Sequence, residues 1–470
     1  MKSLDDTIAA ISTPAGEGGI GIVRLSGRDA VAVAERVFVS PRGRKLQEVK
    51  SHTLVYGFIV DPTTGERIDE VLAAVMRAPG SYTREDVVEI NCHGGMLPLR
   101  TTLQALLRQG ARPADPGEFT RRAFLNGRID LSQAEAVIDV IRAKTEQAER
   151  LALQQLEGRL SAKIHGMREA LTGLCALVEA HIDFPEDEIE LQAKDGIVGS
   201  VTGIGTEMER LSKGYDEGRL FREGVSTAIV GKPNVGKSSL LNALLEKDRA
   251  IVTEMPGTTR DVIEDSLSIN GLPLRIMDTA GIRETHNLAE KEGVRRSLRA
   301  IEGADIVVAV LDASRPVEEA DREVVAKVRG KRVVVAVNKV DSESSAFSLD
   351  DVGLGGQGRD AGAPLPLVRV SAVRGEGIEA LKEAVYSLCI ARETPSQRED
   401  ALITTVRHRD SLDRATASLR EAADALRNNM PLEVAALFLR EALDHLGEIV
   451  GLVTTDDILN RIFNEFCIGK

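Results

Sequence analysis

The chain has 470 residues, enough for about three domains of ordinary size. With 43% hydrophobic and 28% charged residues it has the composition of a globular protein with ample core, and a formal net charge of −13 excludes a general polyanion binder. The lack of tryptophan and an aromatic content of 3% leave little material for stacking nucleic-acid bases. No apolar run reaches the roughly 18 residues that span a membrane, and the start MKSLDDTIAAISTP has neither the basic opening nor the apolar stretch of a secretion signal. A cytoplasmic protein is expected. Cys92, Cys175, Cys389 and Cys467 are far apart and form no CxxC pair, so reduced thiols are expected.

Residues 1–118 read as an α+β domain. IGIVRLSG, HTLVYGFIVD, DEVLAAVMRAPG and DVVEINCHGG are strand-like runs, and RDAVAVAERVF and MLPLRTTLQALLRQG are amphipathic helices. The turn Asp115-Pro116-Gly117 marks a boundary. Just beyond it, Arg121, Arg122 and Arg128 form a local basic cluster, which reads either as a nucleic-acid contact or as a solvated helix face. Helical periodicity dominates 119–220 and returns over 392–470. Neither tract comfortably buries its apolar face alone, so the two are expected to form one discontinuous helical domain, with 221–391 inserted as an α/β domain.

The inserted part carries the chemistry. VSTAIV leads into GKPNVGKS, Gly231 to Ser238, and then into the helix SSLLNALL. Strand, glycine loop and helix are the context of a phosphate-binding loop, in which backbone amides and the helix N-terminus favour an anion. Lys237 would reach the β- and γ-phosphates and Ser238 would hold Mg²⁺. Gly257-Thr258-Thr259 follows, and Thr259 can complete the magnesium shell. Asp278-Thr279-Ala280-Gly281 ends a strand behind the metal, with Gly281 able to approach the γ-phosphate through its amide. Asn338-Lys339-Val340-Asp341 follows VVVAV, and Ser371-Ala372 follows VRV. A carboxylate at Asp341 can accept both N1–H and the 2-amino group of guanine, a donor pair adenine lacks, so the nucleotide is expected to be GTP. The contacts expected from these segments also include Asn234, Val235, Gly236, Ser239, Thr253, Glu254, Met255 and Pro256. DVIEDSLSI and LPLRIMD read as a hairpin through Asn270-Gly271, and the Gly-, Ser- and Asp-rich stretch from Ser342 to Pro366 as a mobile surface insertion.

Together with these motifs, FLNGRIDLSQAEA, the segment HIDFPEDE at His181 to Glu188 and the C-terminal Cys467-Ile468-Gly469-Lys470 resemble the MnmE (TrmE) family of bacterial tRNA-modification GTPases over the whole chain. The terminal CxGK is a more specific mark than the phosphate loop alone. The resemblance implies a folate-binding N-terminal domain that forms a homodimer, a helical domain and an inserted Ras-like GTPase domain. It also implies GTP hydrolysis coupled to modification at C5 of the wobble uridine of certain tRNAs. The partner would be the flavoprotein MnmG, using FAD and NADH, and the carbon would come from 5-formyl- or 5,10-methylene-tetrahydrofolate. The folate residues carried over are Arg24, Glu89, Arg128 and Lys470. Cations suit the glutamate tail and a carboxylate suits the pterin N–H groups, although Arg24 and Glu89 also read as a plain cross-strand ion pair.

The residue after Asp-Thr-Ala-Gly is Ile282, which cannot orient water as the glutamine of Ras-type enzymes does. The resemblance moves that task to Glu290. It also marks Asn234 as a ligand of an activating K⁺, with Thr253, Met255 and Thr258 completing the shell, and implies that two GTPase domains associate on GTP binding. Cys467 reads either as a nucleophilic thiolate beside Lys470 or as a thiol that orients the tail. The competing reading of the chain is a regulatory GTPase switch or ribosome-assembly factor.

Overall fold

The computed structural model describes residues 6–183, 191–248, 266–277, 300–328, 330–342, 347–348, 365–390 and 403–470. The N-terminal part is a seven-stranded sheet of β1 (Ile8–Ile11), β2 (Gly18–Ser26), β3 (Phe38–Val39), β4 (Thr53–Val60), β5 (Arg67–Met76), β6 (Val87–Gly94) and β7 (Arg112–Pro113), in the order β3-β4-β5-β6-β2-β1-β7. Alternation decides its two faces. Val23, Leu25, Val55, Ile59, Val71, Ala73, Val75, Val88 and Ile90 point to one side, where they bury against Ala30, Val33 and Ala34 of α1 (Ala30–Glu35) and Leu99 and Leu106 of α2 (Met96–Arg108). At the β1 end of the other face Ile8 and Ala10 are buried against Phe119, whereas Ile20, Leu54, Tyr56 and Leu72 stand exposed further along it.

Among the described residues there follow the helices α3 (Glu118–Leu125), α4 (Leu131–Arg142), α5 (Glu146–Leu156), α6 (Arg159–Asp183), α7 (Leu191–Lys213) and α8 (Tyr215–Glu223). The start of α4 is fixed by a reciprocal capping box, Asp130 accepting from the Gln133 amide while the Gln133 side chain accepts from the Asp130 amide. Arg122 corrects the reading of an exposed basic cluster. It is fully buried on α3, where its guanidinium meets Asp6 at 2.5 Å, Glu118 at 3.1 Å and Glu85 at 3.2 Å, so it serves the fold and not a surface. Arg121 is half-buried against Asn460, and only Arg128 of the three is exposed.

The α/β part has β8 (Val225–Val230), α9 (Lys237–Asp248), β9 (Ser266–Ile269), β10 (Leu272–Ile276), β11 (Ile306–Asp312), α10 (Glu319–Val328), β12 (Arg332–Asn338), β13 (Leu367–Arg369) and α11 (Ile378–Cys389). Its sheet order is β13-β12-β11-β8-β10-β9, parallel except for β9. The continuous apolar runs of β11 and β12 are buried along nearly their whole length, as a sheet covered on both faces requires. Asn270 and Gly271 both have positive φ and turn the chain between β9 and β10. The Asp261–Asp265 part of that hairpin, and most of the stretch from Ser342 to Pro366, lie outside the described residues.

The chain then returns to helices, α12 (Val406–Arg427), α13 (Leu432–Val450) and α14 (Asp456–Phe463). Ile164 and Leu171 of α6, Val201 and Met208 of α7, Leu412 and Leu419 of α12, and Leu439 and Leu446 of α13 share one core. The α/β domain is therefore inserted into a helical domain whose two halves pack together. A polar node locks α4 to the returning chain. Arg407 grips Glu135 with two bonds of 2.9 Å and donates to the Glu448 carbonyl at 2.6 Å and the Ile449 carbonyl at 3.1 Å, while His408 lies 2.8 Å from Glu135. Burial pushes the Glu135 carboxyl up, but the charges and hydrogen bonds of Arg407 and His408 reverse this and hold it well below the carboxylate range. Because its folded value lies below the unfolded one, its contribution is present above about pH 4.3 and lost on acidification. Arg407→Ala leaves that charge buried with only His408 beside it, and is expected to cost about 3–5 kcal/mol in thermal or urea unfolding at neutral pH. The difference from wild type should shrink as the carboxyl is protonated.

Candidate functional site: a phosphate loop and a C-terminal tail

Two sites emerge from this architecture. The first lies at the C-terminal end of β8, a central strand of the parallel sheet. The chain leaves Val230 through Gly231 to Gly236 and enters α9 at Lys237. Gly231 lies so close to β11 that a Cβ would meet the Val310 carbonyl at 2.5 Å, and Gly236, at φ 94°, has the Asn338 amide where a Cβ would be. Lys237 folds over the loop and donates to the carbonyls of Gly231 at 2.9 Å and Lys232 at 2.8 Å. Burial pushes its ammonium down from the ordinary lysine value, which an arriving anion would counter. Lys232 straps the loop to α10 through Asp321 at 2.6 Å and Glu318 at 2.8 Å.

The strand ends of β11, β12 and β13 complete the site. Asn338, buried at the end of β12, donates to the Val235 carbonyl at 2.9 Å and accepts from the Ala372 amide at 3.1 Å. Lys339 donates to the Asn234 carbonyl at 2.8 Å and to Asp312 at 2.7 Å. Burial acts to raise the Asp312 carboxyl, but Lys339 and Ser314 bring it down to about 2. Asp341 takes hydroxyl bonds from Ser371 at 2.6 Å and Ser342 at 3.2 Å, and the Ser371 bond lowers its carboxyl. One side of Asn338 thus fixes the phosphate loop while the other fixes the segment carrying Ser371 and Ala372. Ser238 and Ser239 stand in the first turn of α9, and Asn234 is exposed with φ 64°. A hydroxyl and a carboxamide at the mouth of an anion-binding loop suit hard cations such as Mg²⁺ and K⁺. Thr253, Glu254, Met255, Pro256, Gly257, Thr258, Thr259, Asp278, Thr279, Ala280, Gly281 and Glu290 lie outside the described residues.

The second site is made by the C-terminal tail. The Cys467 carbonyl accepts from the Gly117 amide at 3.4 Å, the Gly469 carbonyl from the Ser12 hydroxyl at 3.1 Å, and the Lys470 carbonyl from the Phe119 amide at 3.2 Å. Gly469, at φ 96°, lies against Ile11 and Ser12 with no room for a side chain. Beside it, Arg24 and Glu89 face each other across β2 and β6 and are bonded at 2.8 Å. Arg24 also donates to the Gly469 carbonyl at 3.2 Å and lies 5.6 Å from the Phe119 ring centroid, and Arg128 stands 4.8 Å over the ring of Tyr82. Lys470 is half-buried; burial first and the Arg24 charge second push its ammonium down, against the pull of Cys467 and Glu89. Cys467 itself is exposed. Arg24, Glu89 and Lys470 are thus brought together from the two ends of the chain, with Arg128 on the neighbouring Tyr82. Sequence reasoning missed Tyr82, Phe119, Ser12, Asp312 and Lys232. The ending of an apolar strand in Asp312 was a usable signal, whereas Tyr82 and Ser12 carry none.

A phosphate loop on a parallel sheet, closed by an Asn-Lys-x-Asp strand end and set into a helical domain, defines a multidomain P-loop GTPase. The family model described as MnmE helical domain matches residues 131–467, and that described as GTP-binding protein TrmE N-terminus matches residues 7–128. Among curated relatives, the tRNA modification GTPase MnmE of Geobacter sulfurreducens is 51% identical and that of Desulforamulus reducens 44% identical, each over 467 residues that make up 99% of this chain and 100% of the relative. The G domain of the T. maritima FeoB iron transporter, at 26% identity, aligns over 35% of this chain and 99% of its own with a TM-score of 0.26. The chain belongs to the MnmE family. Among the described residues no helix is long and apolar enough to cross a membrane.

Asn338→Ala orphans the Ala372 amide and removes a donor from the Val235 carbonyl. It is expected to cost about 1–3 kcal/mol of stability, and hydrogen exchange should rise at both the phosphate loop and Ser371–Ala372. Protection retained at either segment would mean that Asn338 does not join them.

Proposed function

We propose that this chain is a GTPase of tRNA modification, hydrolysing GTP at the phosphate loop and carrying out one-carbon chemistry on a tRNA uridine at the tail site. The observation that carries the reading is the meeting of the C-terminal CxGK segment with Arg24 and Glu89 in a molecule that also bears a guanine-type base loop. A regulatory switch has no need of the first.

At the phosphate loop the amides at the start of α9 and Lys237 would neutralise the phosphates, and Ser238 with Thr259 would hold Mg²⁺, which supplies further charge neutralisation there. Asp341, kept ionised and oriented by Ser371, accepts the N1–H and 2-amino donors of guanine. Asn234, Thr253, Met255 and Thr258 would hold K⁺, which would supply the positive charge an arginine finger otherwise gives, and Glu290 would orient the attacking water. At the tail site Arg24, Arg128 and Lys470 supply cations for the carboxylates of a reduced folate, and Glu89 is the acceptor for pterin N–H groups. Reduced folate supplies the methylene carbon when bound. Cys467, which is exposed, would act on an electrophile there or orient the tail.

The same reading includes partners. Ile20, Val39, Leu54, Tyr56 and Leu72, exposed by between 43% and 66%, share the face of the N-terminal sheet that α3 and the tail cover only at its β1 end. One rung away, Leu54 and Ala74 line up with Glu89 and Arg24. Such an apolar face calls for a cover, and a second copy of the sheet would give a homodimer with the Arg24 site at its edge. The flavoprotein MnmG, with FAD and NADH, is the proposed partner for the redox step, and a tRNA the substrate.

The GTPase rate at equal ionic strength is expected to be high in KCl and low in NaCl. Glu290→Ala should lose hydrolysis while keeping GTP affinity; equal rates in the two salts would remove the K⁺ assignment, and lost binding would make Glu290 structural. For the second site, 5-formyltetrahydrofolate at about 100 times its Kd should stabilise the fold by about 2.7 kcal/mol and raise the Tm. Arg24→Ala should abolish that rise; a rise kept in the variant would place the ligand elsewhere.

A further inference from the structure

Helix α4 faces two ways. Leu131, Ala134 and Ile138, at positions i, i+3 and i+7, pack with Leu459, Phe463 and Phe466 of the C-terminal segment. On its other edge Asp139 accepts from Arg222 at 2.8 Å, and Arg222 lies in the last turn of α8, just before Val225 begins the strand that carries the phosphate loop. One turn further, Arg142 donates to the Glu465 carbonyl at 2.6 Å, two residues before Cys467. A cavity of about 350 Å³, bordered by Asp139, Arg142, Arg222, Gln155, Thr404 and Glu465, occupies the same junction. Packed interiors switch between discrete arrangements instead of deforming smoothly, and unfilled space at a joint permits a second arrangement. The Asp139 side chain is only 10% exposed, so a change in its distance from Arg222 is felt with little screening by water.

We propose that α4 is the joint through which the state of the bound nucleotide repositions the Cys467–Lys470 segment. Movement of β8 and α8 shifts Arg222 against Asp139, and the same helix carries the tail through Ile138 and Arg142. The inference rests on the reading of Gly231–Ser238 as the nucleotide site and is independent of the folate reading.

The test is the rate at which N-ethylmaleimide alkylates Cys467 in the full chain, followed by peptide mass spectrometry, in GDP and in GDP plus aluminium fluoride with KCl. Buried Cys92 and Cys175 serve as internal controls. The two states should differ by about fivefold or more, the lower end of ordinary allosteric coupling. Asp139→Asn, which touches neither nucleotide nor tail and keeps a side-chain acceptor for Arg222, should erase the difference in protein that is still folded at the assay temperature. Arg142→Ala should raise the Cys467 rate in both states and narrow the gap. Equal rates in the wild type, or a full difference in Asp139→Asn, would overturn the proposal. Should Asp139→Asn melt below the assay temperature, a wild-type difference retained in exposed Arg142→Ala would overturn it as well. A parallel titration with a fluorescent GDP separates the two readings: failure to bind would remove the nucleotide site and this joint with it, whereas binding without a change at Cys467 would remove the joint alone.

Discussion

The contact on which the rest of the molecule depends is the docking of residues 469 and 470 on residues 12, 24 and 119. Gly469 lies against Ile11 and Ser12 with no space for a Cβ, and Gly117, at φ 64°, comes as near to the Phe463 carbonyl, where a Cβ would lie 2.7 Å away. Two glycines therefore let the ends of the chain meet backbone to backbone. Once the tail is fixed in this way, α14 must lie on α3 and α4, and everything between them has to be accommodated as a loop that leaves the helical domain and returns.

That loop is the α/β domain, and its roots are close together. Gly218 on α8 is packed so tightly on the returning chain that a Cβ would strike the Ile403 carbonyl. Entry and exit are thus neighbours, so the helical core of α6, α7, α12 and α13 can close across the insertion with little disturbance. The insertion is also docked along one edge. Thr145, the N-cap of α5, donates to the Gly271 carbonyl at 2.7 Å, and Leu151 packs against the core of the α/β domain. The hairpin turn at Asn270-Gly271, whose positive φ angles let β9 and β10 reverse tightly, is therefore also a point at which the two domains touch.

What was legible in the sequence was local. The phosphate loop, the strands of the parallel sheet and the capping of α4 each rest on residues a few positions apart, where spacing is enough to reveal geometry. The Arg24–Glu89 pair and the terminal CxGK could be singled out locally, but their meeting was to be expected only from the family resemblance, because 381 positions separate Glu89 from Lys470. Arg122 shows the limit most plainly. Beside Arg121 and Arg128 it resembles part of a basic surface, and only Asp6 and Glu85, distant in sequence, reveal it as a buried structural cation. Glu135 and Arg407 are a second case, invisible to periodicity because one lies before the insertion and the other after it. The Thr253–Thr259 and Asp278–Gly281 segments, legible as motifs, contribute to the site only as sequence.

The placement of charge separates the two ends of the molecule in kind. In the phosphate loop the cations are held by carbonyls and by carboxylates behind them: Lys237 by Gly231 and Lys232, Lys339 by Asn234 and Asp312, Lys232 by Asp321. Burial makes the free Lys237 ammonium costly, and a phosphate relieves that cost at the moment of binding. At the tail site Glu89 already partners Arg24, so a ligand there must compete with an existing bond or use Arg128 and Lys470 first. Binding at the loop relieves an unfavourable charge, while binding at the tail rearranges a satisfied one. A rearrangement is the kind of step that a helix packed on the C-terminal segment and tied by Asp139 to Arg222, α4, is able to bias.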